Sequence, residues 1–108
     1  MVMGTIREYR FDNDSHVYEG ECLHGERNGH GKEYNYGGRL IFEGEYLNGK
    51  RNSFGKEYEY EDLIFEGEYL DGKKWNGKAK EYNSRNRDEI IFDGEYLKGE
   101  KSNRIAIE

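Results

Sequence analysis

One phrase recurs four times along the chain, and it constrains the fold more than any other feature. Tyr18-Glu19-Gly20-Glu21, Phe42-Glu43-Gly44-Glu45, Phe65-Glu66-Gly67-Glu68 and Phe92-Asp93-Gly94-Glu95 are spaced by 24, 23 and 27 residues. A second phrase keeps time between them: Asn28-Gly29-His30-Gly31-Lys32-Glu33-Tyr34, Asn52-Ser53-Phe54-Gly55-Lys56-Glu57-Tyr58 and Asn76-Gly77-Lys78-Ala79-Lys80-Glu81-Tyr82. A fixed period of this length marks a repeat architecture, in which each unit buries its apolar side chains against its neighbours. The longest interval follows from an inserted Trp75 and a longer loop, Asn83 to Glu89.

Each unit reads as a β-hairpin. The stretch Leu-Ile-Phe-Glu-Gly-Glu-Tyr-Leu alternates with period two after its apolar start and is rich in strand formers. Asn48-Gly49 and Asp71-Gly72 accept the positive φ angles of tight hairpin turns. Gly37-Gly38 and Glu61-Asp62 are expected to turn the chain into the next unit. A helix is not expected, because no apolar i, i+3, i+4, i+7 stripe is free of glycine.

Alternation sorts the side chains onto two faces. Phe42, Gly44 and Tyr46 share one, and Ile41, Glu43, Glu45 and Leu47 share the other. Tyr58 and Tyr60 fall with Lys56. The simplest arrangement puts the rings of both strands together, with a cross-strand Tyr lying over the slot at Gly44. The expected architecture is all-β: an elongated single-layer antiparallel meander of stacked hairpins. It forms one domain over residues 1–108, with a half-repeat at 5–17, repeats at 18–41, 42–64 and 65–91, and a partial repeat and cap at 92–108. Ser-Asn-Arg-Ile-Ala-Ile-Glu at the end lacks the repeated phrase and reads as the cap.

The phrase resembles the MORN repeat, which runs aromatic-Glu-Gly-Glu-aromatic, then Asn-Gly-Lys, then Gly-x-Gly. Residues 18–36, 42–60 and 65–82 match it, and 92–99 match its first half. Departures are Cys22 in an aromatic position, Ser53 in place of a turn glycine and Ala79 in place of a strand glycine. The resemblance implies an extended sheet of hairpins that serves as a scaffold or protein-interaction module. Binding of lipid head groups is a further activity that it suggests.

Composition supports an ordered chain with little aliphatic core. Only 33% of the 108 residues are hydrophobic and 37% are charged, but ten Tyr, five Phe and one Trp are more aromatics than disordered chains carry. The net charge of −6 argues against direct nucleic-acid binding, where Lys and Arg must neutralise phosphates. The first residues lack a basic segment followed by an apolar one, and Cys22 is the single cysteine. Both point to a reducing, cytoplasmic setting.

Candidate sites follow from the faces. In a single layer with no covering helix, Phe42, Tyr46, Tyr58, Tyr60, Phe65, Tyr69, Tyr82, Phe92 and Tyr96 are expected to line a partly exposed aromatic groove. Trp75, which breaks the repeat at a turn, is a candidate anchor beside it. The leading expectation is a non-enzymatic module that binds another protein, or a second copy of itself, through that face. The alternative is an acidic inhibitor that blocks a nucleic-acid-binding enzyme through Glu19, Glu21, Glu43, Glu45, Glu66, Glu68, Asp93 and Glu95. The same carboxylates suggest a glycosidase pair only superficially, because they recur in every unit and none is singled out.

Other chemistry is weaker still. Cys22, His24 and His30, with His16 behind them, match no closed zinc spacing, so no metal or other cofactor is expected. Gly29-His30-Gly31-Lys32 lacks the spacing and the following helix of a phosphate loop. Arg27, Lys50-Arg51 and Lys73-Lys74 form the only candidate row for an anionic membrane surface. The acidic balance and the interruptions at Glu26 and Glu100 argue against it.

Overall fold

A computed structural model describes residues 4–9 and 16–103. It is an open sheet of nine strands in strict meander order, every neighbour antiparallel. The strands are β1 (Gly4–Tyr9), β2 (His16–Leu23), β3 (Glu26–Tyr34), β4 (Leu40–Leu47), β5 (Lys50–Glu59), β6 (Asp62–Leu70), β7 (Lys73–Tyr82), β8 (Ile90–Leu97) and β9 (Glu100–Asn103). The extents are 53 × 31 × 15 Å, and the described residues form one sheet with no second layer. The described residues contain no helix. Most of the half-repeat's end (residues 10–15) and the expected cap beyond Asn103 lie outside the described residues.

The hairpin turns follow the sequence. Asn48-Gly49, Asp71-Gly72, His24-Gly25 and Lys98-Gly99 all have positive φ at both central positions, the geometry whose twist matches antiparallel strands. Each later turn is tied to the preceding unit. The amides of Gly49, Gly72 and Gly99 donate to the carbonyls of Arg27, Arg51 and Trp75 at 2.9, 3.0 and 2.8 Å. The turn between β5 and β6 differs from expectation by one residue. Glu59 pairs with Asp62, so Tyr60 and Glu61 are the central pair, with φ of 50° and 72°. Register, set by the buried Phe65 opposite Glu57, overrides local turn preference there.

The core is one row of rings on one face. Tyr18, Phe42, Tyr46, Phe65, Tyr69 and Phe92 are buried, and three of them are at or below 1% exposure. Neighbours meet edge to face. Centroids are 5.0 Å apart for Tyr18–Tyr46, 5.5 Å for Phe42–Tyr46, 5.2 Å for Phe42–Tyr69, 5.3 Å for Phe65–Tyr69 and 5.6 Å for Phe65–Tyr96. Such contacts contribute about 0.5–1.5 kcal/mol each beyond area burial.

The rings are not arranged as the sequence suggested. Phe42 pairs with Glu57, and Glu43 with Lys56, so the return strand presents Gly55 and Glu57 to the ring face. Tyr58 is on the opposite face, and Tyr60 is in the turn. The slot at Gly44 is filled by Phe42, two residues earlier on the same strand, whose ring also lies over Gly55. Paired glycines run across the sheet through Gly20, Gly31, Gly44, Gly55, Gly67 and Gly77. The row then breaks. Ala79, not Gly77, faces Gly94, and β8 is displaced by two residues along the strand direction.

Candidate partner-binding faces

The ring face is closed by its own polar side chains. Arg51 holds its guanidinium 4.1 Å above the Phe42 ring, and Arg27 sits 4.4 Å above Tyr18. Lys74 and Lys101 repeat the placement over Phe65 and Phe92 at 5.3 and 4.5 Å. Carboxylates alternate with these cations. Arg27 bonds Glu8 at 2.9 Å, while Arg51 donates to Glu33 at 2.8 Å and to Glu57 at 2.9 Å. Tyr46 and Tyr69 donate their hydroxyls to Glu33 and Glu57. Local sequence explains the layout. The return strand enters two residues after the turn with a cation facing the ring row, then offers glycine and Glu on the same face.

Burial therefore raises the phenol pKa values on this face. Tyr18 is pushed up to about 12 by desolvation, against the opposing field of Arg27. Tyr46 and Tyr69 are raised further, by burial first and then by their hydrogen bonds to Glu33 and Glu57. These phenols stay neutral donors.

The expected aromatic groove is accordingly not open. Phe42, Tyr46, Phe65, Tyr69 and Phe92 are buried, and Tyr96 packs partly buried against them. Glycine backbone beneath and cations above use up their surface. Tyr58 and Tyr82 are half-buried, while Tyr60 is exposed beside Arg87. The Arg87 guanidinium lies 4.9 Å from both the Tyr60 and Tyr82 rings and bonds Glu59 and Asp62 at 2.6 and 3.0 Å. The long loop thus fastens the turn behind it. Trp75 is half-buried, and a Cβ on Gly99 would meet its ring at 3.5 Å. The basic row does not form an edge either, because Arg27, Arg51 and Lys74 cover rings and Lys50 bonds Asp71 at 2.9 Å.

The opposite face carries the repeated carboxylates in two rows. In the first, register places Arg7, Glu19, Lys32, Glu43, Lys56, Glu66, Lys78 and Glu95 in sequence across the sheet, strictly alternating in sign. Arg7–Glu19 closes at 2.8 Å and Lys56–Glu66 at 3.7 Å, and Asp93 lies opposite Lys80. The second row, one residue nearer the turns than the glycines, holds Glu21, Glu45 and Glu68. Here the facing residues are Thr5, His30, Phe54 and Asn76, none a Lys or Arg. Glu21 accepts the His30 amide at 2.7 Å.

This face also holds large apolar side chains that no other part of the described chain covers. Leu47, Phe54, Leu70 and Leu97 are each about half exposed, at 49, 48, 49 and 56%. Leu23, Leu47 and Leu70 stand at the same level, three residues beyond the paired glycines. Leu97 is drawn out of that line by the displacement of β8. The leucines were visible in the sequence as the last letter of the repeated strand, but the ring pattern drew attention away from them.

Among the described residues no three His, Cys, Asp or Glu side chains gather to hold a metal ion. His24 is in the first turn, Cys22 takes the position of Tyr46 and Tyr69 on the ring face, and the side chain of His16 lies outside the described residues. No described helix is long and apolar enough to cross a membrane. No family model matches the chain, and no curated protein matches it.

Proposed function

We propose that the chain is a non-enzymatic, MORN-like module that binds another protein in a reducing compartment, and that it does so through the face opposite the rings. The observation that carries this is the exposure of Leu47, Phe54, Leu70 and Leu97 on one side of a single-layer sheet. An isolated exposed leucine is ordinary, but a set gathered on one face marks an interaction surface. The ring face supports the reading indirectly. Its rings are already packed and capped, so it supplies rigidity while the other face remains available.

The acidic-inhibitor alternative draws less support. Glu19, Glu43, Glu66 and Glu95 each stand beside a cation by register, so their field is largely cancelled within the sheet. No reaction is proposed, because each repeated carboxylate has equivalents in the other units and none faces an enclosed cleft.

The test is affinity capture from the source cell with wild-type bait beside Leu47→Ser/Phe54→Ser/Leu70→Ser bait. Loss of a specific protein from the variant, with an unchanged circular dichroism spectrum, is the expected result. Equal capture by both baits refutes the assignment of this face.

A further inference from the structure

The leucine line and the carboxylate row of Glu21, Glu45 and Glu68 lie side by side, and together they specify a partner. This inference rests on the protein-binding reading above. Leu23, Leu47 and Leu70 occur on every second strand. Strands are about 4.8 Å apart, so the leucines repeat at about 9.6 Å. An α-helix lying across the strands presents one side-chain stripe every seven residues, or about 10.5 Å. The mismatch over three leucines is about 2 Å, within the reach of side-chain rotamers. By register Lys50 stands opposite Leu47 and Lys73 opposite Leu70, with Lys50 held by Asp71 at 2.9 Å. Phe54, half exposed, stands one row nearer the glycines, opposite Glu68, where it widens the apolar floor.

Charge selects among helices. Glu45 and Glu68 are exposed, and the row they share with Glu21 has no facing Lys or Arg. With Glu26 opposite Leu23 and Asp71 on Lys50, the acidic groups here outnumber Lys50 and Lys73 by five to two. A helix seated on the leucines places one flank over this row. Lysine or arginine on that flank gains; glutamate there is repelled. A second copy of this chain fits poorly. It brings the same acidic row and a net charge of −6 to a surface that already carries both. The alternating row farther from the turns offers no net preference.

We propose that the face formed by Leu23, Leu47, Phe54 and Leu70, bordered by Glu45 and Glu68, docks a basic amphipathic helix of a partner protein, laid across β2 to β6. Apolar burial on the leucines and Phe54 provides most of the affinity. The carboxylates set the orientation and the sign of the partner.

The probe is a fluorescein-labelled peptide of about 18 residues, long enough to cross three leucines as a helix. It carries leucines at i, i+3, i+4 and i+7 with lysines on both flanks. A second peptide replaces every lysine by glutamate. Fluorescence anisotropy with the full chain is expected to favour the lysine peptide by at least about tenfold, a preference that shrinks with added salt. Leu47→Ser/Leu70→Ser is expected to weaken that binding about tenfold. Glu45→Lys/Glu68→Lys is expected to reverse the preference between the two peptides. The charge variant changes only exposed side chains, so it tests the proposal even if the leucine variant proves unstable.

Equal binding of the two peptides, or no saturable binding of either, overturns the proposal. So does a dimer in sedimentation of the protein alone that Leu47→Ser/Leu70→Ser dissolves, which assigns the face to a second copy. If the peptides fail while a captured protein is still lost from the Leu47→Ser/Phe54→Ser/Leu70→Ser bait, the helix is wrong and the binding face stands.

Discussion

The Phe42 ring lies flat enough across Gly55 that a Cβ built there would sit 2.6 Å from both Cε1 and Cζ of the ring, and 3.0 Å from the ring of Tyr69. Both rings are buried and have no free direction to move. The absence of a side chain at Gly55 is therefore what lets a single-layer sheet acquire a core.

Gly55→Ala should lower stability by about 2–3 kcal/mol, the usual cost of overpacking a tight core. Gly37→Ala is the control. Its nearest non-neighbour atom is at 3.5 Å and its backbone is outside the positive-φ region, so its effect should stay within about 0.5 kcal/mol. Urea unfolding of the two variants beside wild type measures both. Equal midpoints for all three proteins contradict the ring-over-glycine account.

The cation above each ring leads to a second expectation. Arg51 covers Phe42 and bridges Glu33 and Glu57, and it is about one-quarter exposed. Arg51→Ala uncovers the ring and leaves two carboxylates facing each other without a shared cation. A loss of about 2 kcal/mol is expected. Arg51→Lys should recover only part of it, because an ammonium cannot serve both carboxylates in one planar fork. Thermal or urea denaturation decides, and full recovery by Lys would show that charge alone matters.

Alkaline titration reads the same face. Tyr18 is raised to about 12, and Tyr46 and Tyr69 are raised more, all by burial first. A phenol whose pKa is higher in the folded than in the unfolded chain stabilises the fold fully below its unfolded value near 10. That contribution is lost as pH rises towards the folded value. Stability should therefore fall from about pH 10 upward. Absorbance at 295 nm should show at least three of the ten tyrosines ionising late, together with loss of the β-sheet circular dichroism signal. Complete tyrosine ionisation with the sheet intact would contradict the burial of these hydroxyls.

Much of the fold is legible in the residues, and what is not has identifiable causes. Period two and the Asn48-Gly49 and Asp71-Gly72 turns give the hairpins and their order. The faces of the outgoing strands follow from alternation alone. Those of the return strands follow once the two-residue turn sets Arg51 opposite Tyr46. Their cross-strand partners do not, because irregularities between Gly44 and Tyr46, and between Glu57 and Tyr58, shift the register by amounts no local pattern encodes. Alternation from Arg51 puts Glu57 on the ring face and Tyr58 off it, where grouping the rings of both strands would put Tyr58. The two-residue shift sets only which residue Glu57 faces, Phe42. Arg27, Arg51 and Lys74 read as ordinary turn cations, although their recurrence two residues after each turn was the available signal. The displacement of β8 is hidden for a similar reason. Gly77 and Ala79 both suit a place in the glycine row, and only pairing with Gly67 and Gly94 decides between them.

The turn between β5 and β6 offers a stabilising change. Tyr60 and Glu61 hold φ of 50° and 72°, a region that costs a residue with a Cβ about 1 kcal/mol relative to glycine. The other two-residue turns place glycine at the second central position. Glu61→Gly restores that pattern and gives up only a 3.8 Å contact to Arg39 between two well-exposed side chains. Against the strain relieved stands the greater freedom of glycine in the unfolded chain, about 0.4–1 kcal/mol. The balance should be a gain of up to about 1 kcal/mol, because φ near 72° is at the edge of what side chains tolerate. Ser53 is the parallel case, with φ of 65° where the first repeat has Gly29 at 88°. Ser53→Gly should act in the same direction, and the two changes, on opposite ends of β5, should add. Differential scanning calorimetry of the single and double variants measures this. A double variant that melts below wild type would mean that both residues make native contacts outweighing their backbone strain.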